Sequence, residues 1–167
     1  KFKSIMKSLN LLTFFLFLSI VTFAQEKLPN VVLKDIDGNA VNLSEIKNDG
    51  KPYVINFWAT WCAPCKRELN TISDLYEDWQ KETSVKIYAI SIDDQRTVDK
   101  VKPYVSAQGW EYEVLLDTNG DLKRALGVNN VPFTFLVDGK GNIVWKHNNY
   151  NPGDENELFE KIKKLAE

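Results

Sequence analysis

One short stretch constrains this chain more than any other. Tyr53-Val54-Ile55-Asn56-Phe57-Trp58, a mostly apolar run rich in β-favouring residues, passes through Ala59-Thr60-Trp61 into Cys62-Ala63-Pro64-Cys65. The length and composition of the run predict a buried strand. From Ala63 to about Lys81, Leu69, Ile72, Leu75, Tyr76 and Trp79 recur at helical spacing, which predicts an amphipathic helix. The segment therefore reads strand, Cys-x-x-Cys, helix, with Cys62 at the helix amino end.

That position carries chemistry. Unpaired backbone N–H groups and the helix dipole favour an anion there, so a thiol at the site leans towards thiolate. Cys62 is the expected nucleophile, and Cys65, one turn further in, is placed to attack a mixed disulfide formed by Cys62. Pro64 suits a first turn, where its missing N–H costs nothing. Lys66 and Arg67 read as a solvated helix face.

Cys62 and Cys65 are the only two cysteines of the chain. A bridge across two intervening residues closes too small a loop to stabilise much, so stability is a poor reason for the pair. Zinc normally takes four ligands and only one histidine, His147, is present, so no metal and no cofactor are expected. His147, at the end of a predicted strand, reads as a solvent-facing edge residue.

Lys1, Lys3 and Lys7 precede an apolar stretch from Leu9 to Phe23, closed by Ala24. This order predicts a secretory signal peptide over residues 1–24, with an uncleaved anchor as the alternative, and a folded domain over 25–167 outside the cytoplasm, in the periplasm or an equivalent compartment. The formal net charge of −2 becomes more negative without the three lysines of this segment, which disfavours nucleic-acid binding. With 44% hydrophobic and 26% charged residues, the rest is composed like a globular domain. It shows no repeat, linker or second domain.

Further strands are predicted at Thr83–Ile92, Glu113–Leu116, Phe133–Val137 and Ile143–Lys146, with a hairpin turn at Asp138-Gly139-Lys140-Gly141 and a closing helix over Glu155–Leu165. Early alternation of strand and helix with a late hairpin gives an α/β fold, a central mixed sheet flanked by helices.

The segment from Phe57 to Lys66 resembles the active-site region of the thioredoxin superfamily. Val128-Asn129-Asn130-Val131-Pro132-Phe133 onward is similar to that family's later region, where a cis proline faces the cysteines. Within the superfamily the chain resembles the TlpA/ResA-type extracytoplasmic proteins. An inserted βα unit, Ile87–Ile92 followed by Val98–Gln108, and an opening hairpin, Val31–Leu33 to Val41–Leu43 turned by Asp37-Gly38, point to that branch.

The resemblance implies a thioredoxin-like fold and a thiol–disulfide oxidoreductase that reduces protein disulfides, apocytochrome c among the possible substrates, as a monomer recharged by a membrane thiol electron donor. Ala63-Pro64 between the cysteines resembles the reducing members. It implies a substrate-facing set of Trp61, Ala63, Pro64, Val131 and Pro132, with Trp58 in the core. Pro132 has a second reading as a simple strand start.

Asn56 stands where thioredoxin has a buried aspartate, so a different carboxylate is needed if protons are to be handled. Glu68, one turn after Cys65, matches a glutamate that the branch places near its cysteines. It either accepts the Cys65 proton or, on the plainer reading, is an exposed first-turn glutamate favouring the helix dipole. Two other functions stay open: a peroxiredoxin-like peroxidase, against which stands Ala59 three residues before Cys62 where a threonine is normal, and a non-catalytic disulfide-bearing binding module.

Overall fold

The structure, a computed structural model, describes residues 26–167. The predicted export segment lies outside the described residues. Strand β1 (Val32–Asp35) turns through Gly38, at φ 92°, into β2 (Ala40–Asn42). Then come β3 (Tyr53–Trp58), helix α1 (Ala63–Thr83), β4 (Lys86–Ser91), α2 (Val101–Gln108), β5 (Glu113–Leu116), the short α3 (Asp121–Ala125), β6 (Phe133–Val137), β7 (Ile143–Asn148) and α4 (Asp154–Ala166). Single 3-10 turns sit at Leu43–Glu45 and Val98–Lys100.

The seven strands form one sheet in the order β2-β1-β5-β4-β3-β6-β7. β3, β4 and β5 run parallel, while β1, β6 and β7 join antiparallel to their neighbours. This is the mixed α/β sheet expected, with β3 near its centre and buried at all six positions. A strand buried on both faces has to be nearly continuous in apolar character, as this one is.

The alternation of β3 builds two cores. Val54 and Trp58 face α1, where they meet Leu69, Ile72, Tyr76 and Trp79 of that helix and Leu158 and Ile162 of α4. Tyr53, Ile55 and Phe57 face the other way, against Leu122 of α3, Leu33 and Leu43. Trp58 is fully buried beside Trp110, ring centroids 4.8 Å apart, which is its predicted core role.

Several boundaries move by a few residues, the hairpin strands to Val32–Asp35 and Ala40–Asn42 and the inserted helix to a start at Val101, and two shifts matter more. The predicted strand from Thr83 begins instead at Lys86, because α1 continues to Thr83, whose hydroxyl turns back to Trp79 O, and Ser84 then stops the helix at φ 56°. β7 runs two residues past Lys146 and alternates inward and outward. His147 thus points inward rather than to solvent. Its Nε2 lies 3.1 Å from Asp154 Oδ2 and its ring stacks on Trp145.

Candidate active site

The site lies at the carboxyl ends of the parallel strands, where open α/β sheets place their ligands. β3 ends at Trp58, and the chain turns sharply: Cys62 N–H donates to Ala59 O at 3.0 Å. Cys62 then caps α1, its Sγ accepting the Cys65 N–H at 3.3 Å, with Pro64 in the first turn. Cys62 and Cys65 form a disulfide with Cα atoms 5.4 Å apart. Cys65 is wholly buried and Cys62 nearly so, which leaves the latter as the sulfur nearer the surface.

Around them the predicted surface set divides. Trp61 is 61% exposed, Ala63 is exposed, and Pro64 is half-buried. Val131 is half-buried and packs against the cluster containing both cysteines. The Val131–Pro132 peptide is cis, and Pro132 is buried. Resemblance pointed to that isomer, while local sequence alone left it open.

Glu68 is 4% exposed, so it is not the exposed helix-start glutamate of the plainer reading. Thr134 Oγ1 donates to its Oε1 at 3.1 Å, and Asn56 Nδ2 donates to Thr134 Oγ1 at 2.8 Å. Burial pushes the Glu68 carboxyl up to about 7; the hydrogen bonds from Asn56 and Thr134 and the charge of His147 oppose the rise, and Asp154 adds to it. An acid tuned to neutrality one helical turn from a buried thiol suits proton exchange at working pH.

Two residues at the site, Thr134 and Asp93, have no counterpart among the sequence expectations. Asp93 is completely buried just past β4, its Oδ2 accepting Thr60 N–H at 2.8 Å and Ser91 Oγ–H at 2.9 Å, and its Oδ1 accepting Thr60 Oγ–H at 2.6 Å. It ties down the turn that presents Trp61 and Cys62. The signal that could have found it is positional: an acid immediately beyond the carboxyl end of a parallel strand.

Residues 24–146 match the family described as AhpC/TSA. The chain belongs to that family. A thioredoxin-like protein of Porphyromonas gingivalis is 49% identical, with a TM-score of 0.75 over 86% of this chain and 94% of that one. A thiol:disulfide interchange protein of the thioredoxin family from Chlorobium tepidum is 26% identical, TM-score 0.67, covering 87% and 99%. Among curated relatives, the thiol-disulfide oxidoreductase ResA of Bacillus thuringiensis subsp. konkukian is 34% identical over 116 residues, 70% of this chain and 64% of the relative. The chain thus spans just under two thirds of that relative's length. These likenesses make the fold thioredoxin-like and the branch ResA-like, as the active-site segment and the inserted unit implied.

Proposed function

We propose that this chain is a thiol–disulfide oxidoreductase of the ResA kind that reduces protein disulfides. The observation that carries the reading is the Cys62–Cys65 disulfide at the amino end of α1, with one sulfur nearer the surface and the other wholly buried, one helical turn before the buried Glu68.

In the reduced form, backbone N–H groups of the first turn favour the Cys62 thiolate. That thiolate attacks one sulfur of a substrate disulfide; the substrate's S–S bond breaks and its electron pair leaves on the other sulfur, giving a mixed disulfide with Cys62. Cys65 then passes its proton to Glu68 and attacks Cys62 Sγ. The mixed disulfide breaks, the substrate departs as a thiolate, and the Cys62–Cys65 bond closes. Trp61, Ala63, Pro64 and the Val131–Pro132 peptide frame the approach, and an extended substrate segment pairs with the Val131 backbone in strand-addition fashion.

The export pattern of residues 1–24 and the ResA-like branch support an extracytoplasmic location, in the periplasm or its equivalent. There, apocytochrome c is a substrate of suitable chemistry, and a membrane thiol protein is the required source of electrons. No helix of the described residues is long and apolar enough to cross a membrane. Ala59 offers no hydroxyl and is buried, which speaks against a peroxidase.

The test is the equilibrium potential of the Cys62/Cys65 couple, measured by titrating the protein in thiol redox buffers and counting alkylated cysteines by mass. A value near or below about −250 mV places it with reductants, thioredoxin lying at about −270 mV and the oxidant DsbA at about −120 mV. A value near the oxidant end reverses the direction. Cys62→Ser abolishes disulfide reduction on this reading, whereas a binding module keeps its function.

A further inference from the structure

At the end of β3 opposite the cysteines, Tyr53 is built into the apolar core yet carries a hydroxyl with no protein partner. The residue is 3% exposed. Its ring meets Tyr88 edge-on at 5.9 Å, while its hydroxyl stands beside Gly141, 3.9 Å from where a Cβ there would sit. No hydrogen bond joins that hydroxyl to another of the described residues. Burial, with Tyr88 and Asp138 adding to it, pushes the phenol up to about 12, so the group stays a donor at any working pH. A donor on so buried a side chain is normally matched by an acceptor.

The hydroxyl opens into a cavity of about 180 Å³ lined also by Leu43, Gly141 and three lysines, Lys27, Lys47 and Lys140. The lysines come from three separate segments, ahead of β1, after β2 and in the β6–β7 turn. None of them makes an ion pair among the described residues, and no carboxylate lines the cavity. The acids beside them in sequence are engaged elsewhere. Asp138 accepts the Lys140 and Asn142 N–H groups and the Asn142 side chain, Glu45 accepts Asn42 Nδ2, and Glu26 pairs with Lys146.

We propose that this cavity binds the phosphate of an anionic lipid headgroup, Tyr53 donating its O–H to a phosphate oxygen while Lys27, Lys47 and Lys140 surround the charge. Its size suits one oxyanion, since sites for larger organic ligands begin at about 300 Å³. The charge is local: the chain as a whole is acidic, at −2, and has no general attraction for an anionic surface. The place in the chain also fits, because Lys27 follows the apolar stretch Leu9–Phe23 by four residues, so the cavity lies at the end of the domain that the predicted export segment joins.

The consequence is orientation. Tyr53 opens β3 and Trp58 closes it, five residues on, which at about 3.3 Å per residue separates the two ends by roughly 16 Å. A headgroup held at the Tyr53 end turns the Cys62–Cys65 pair away from the lipid and towards partners in the aqueous phase. The inference goes beyond the redox reading and does not depend on it.

Nuclear magnetic resonance on the full chain in lipid nanodiscs tests the site in two arms. In the first, inorganic phosphate is titrated into protein held in phosphatidylcholine discs; in the second, phosphatidylglycerol replaces part of the lipid. The apolar segment meets lipid in both discs, so only the headgroup charge differs. The Gly141 amide and Tyr53 ring resonances are expected to move in both arms. Tyr53→Phe, which removes only the hydroxyl, should weaken phosphate binding by roughly tenfold, as expected for one hydrogen bond to a charged group. Lys47→Gln, at an exposed position far from the cysteines, should weaken the response to phosphatidylglycerol by roughly fivefold and leave dithiol exchange unchanged. Resonances that answer to phosphate but not to phosphatidylglycerol would assign the site to free phosphate and overturn the lipid headgroup. Silence in both arms, or shifts indifferent to both Tyr53→Phe and Lys47→Gln, would overturn the site itself.

Discussion

β3 has two faces and they are built to different rules. Tyr53, Ile55 and Phe57 enter a core closed by apolar residues from α3, β5 and β6. On the other face Asn56 lies between Val54 and Trp58, linked through Thr134 to a buried acid. The same strand, in the same register, thus supports an apolar layer that holds the sheet together and a polar wedge that interrupts the layer beneath α1. Apolar contact is non-directional and tolerates approximation, whereas a buried polar set is favourable only when complete. Stability and chemistry are thereby assigned to opposite sides of one strand.

Substitutions on the two faces should separate these contributions. Phe57 is fully buried, edge-on to Phe135 at 6.0 Å, so Phe57→Ala should cost roughly 3–5 kcal/mol in chemical denaturation through lost transfer energy and a cavity. The potential of the cysteine pair, measured on the folded fraction, should stay unchanged. A shifted potential would show that the two faces are coupled and break the comparison.

Glu68→Gln should act with opposite sign. Below the ordinary carboxyl value of 4.5 the acid is protonated in both folded and unfolded chains and costs nothing. Between 4.5 and about 7 the unfolded chain releases its proton while the folded one holds it, so stability falls as pH rises, and the full cost is reached above about 7. Glutamine removes that dependence. At pH 8 the variant should be more stable than the wild type by roughly 3 kcal/mol, each pKa unit being worth about 1.36 kcal/mol. Parallel denaturation curves at pH 4 and pH 8 check the sign; an equal difference at both would mean that burial is not what governs this acid.

Asp93 extends the polar face beyond the strand. Asp93→Ala leaves the Thr60 N–H without its partner, and a loss of about 1–3 kcal/mol is expected from an unsatisfied buried donor. Slower exchange with a small dithiol should accompany it, because the turn holding Cys62 is released. Unchanged exchange would make the Asp93 contacts purely structural.

The contrast between the faces also explains what the sequence made legible. The apolar face is written in local pattern: the run of β3, the spacing of Leu69, Ile72, Tyr76 and Trp79, and the strands at Glu113–Leu116 and Phe133–Val137 emerge where periodicity puts them. The polar wedge is not local. Asn56 and Thr134 are 78 residues apart and meet only because β6 pairs with β3 in one register, a property that no window of sequence contains. His147 is legible as a strand residue, but its inward direction depends on where β7 starts and on α4 delivering Asp154. Glu68 needed the resemblance to be noticed and the structure to be seen as buried. The start of β4 was misplaced for a simpler reason: Gln80-Lys81-Glu82 are good helix formers, and α1 stops only where Ser84 takes a left-handed conformation.

The smallest effect on stability should come from an exposed residue that belongs to neither face. Trp61 is 61% exposed, so Trp61→Ala should move the unfolding free energy by no more than about 0.5 kcal/mol. An exposed indole beside Cys62 is nonetheless the kind of rigid aromatic surface on which protein partners gain affinity, and losing one such anchor commonly costs more than 1 kcal/mol of binding. Reduction of a protein disulfide should therefore weaken by roughly tenfold in kcat/KM, while exchange with a small dithiol, which does not need the rim, should be spared. Equal losses for both substrates would assign Trp61 to the environment of the sulfur instead of the substrate surface. The polar face would then reach past the turn and out to solvent, with no separate docking rim between the thiol and its partner.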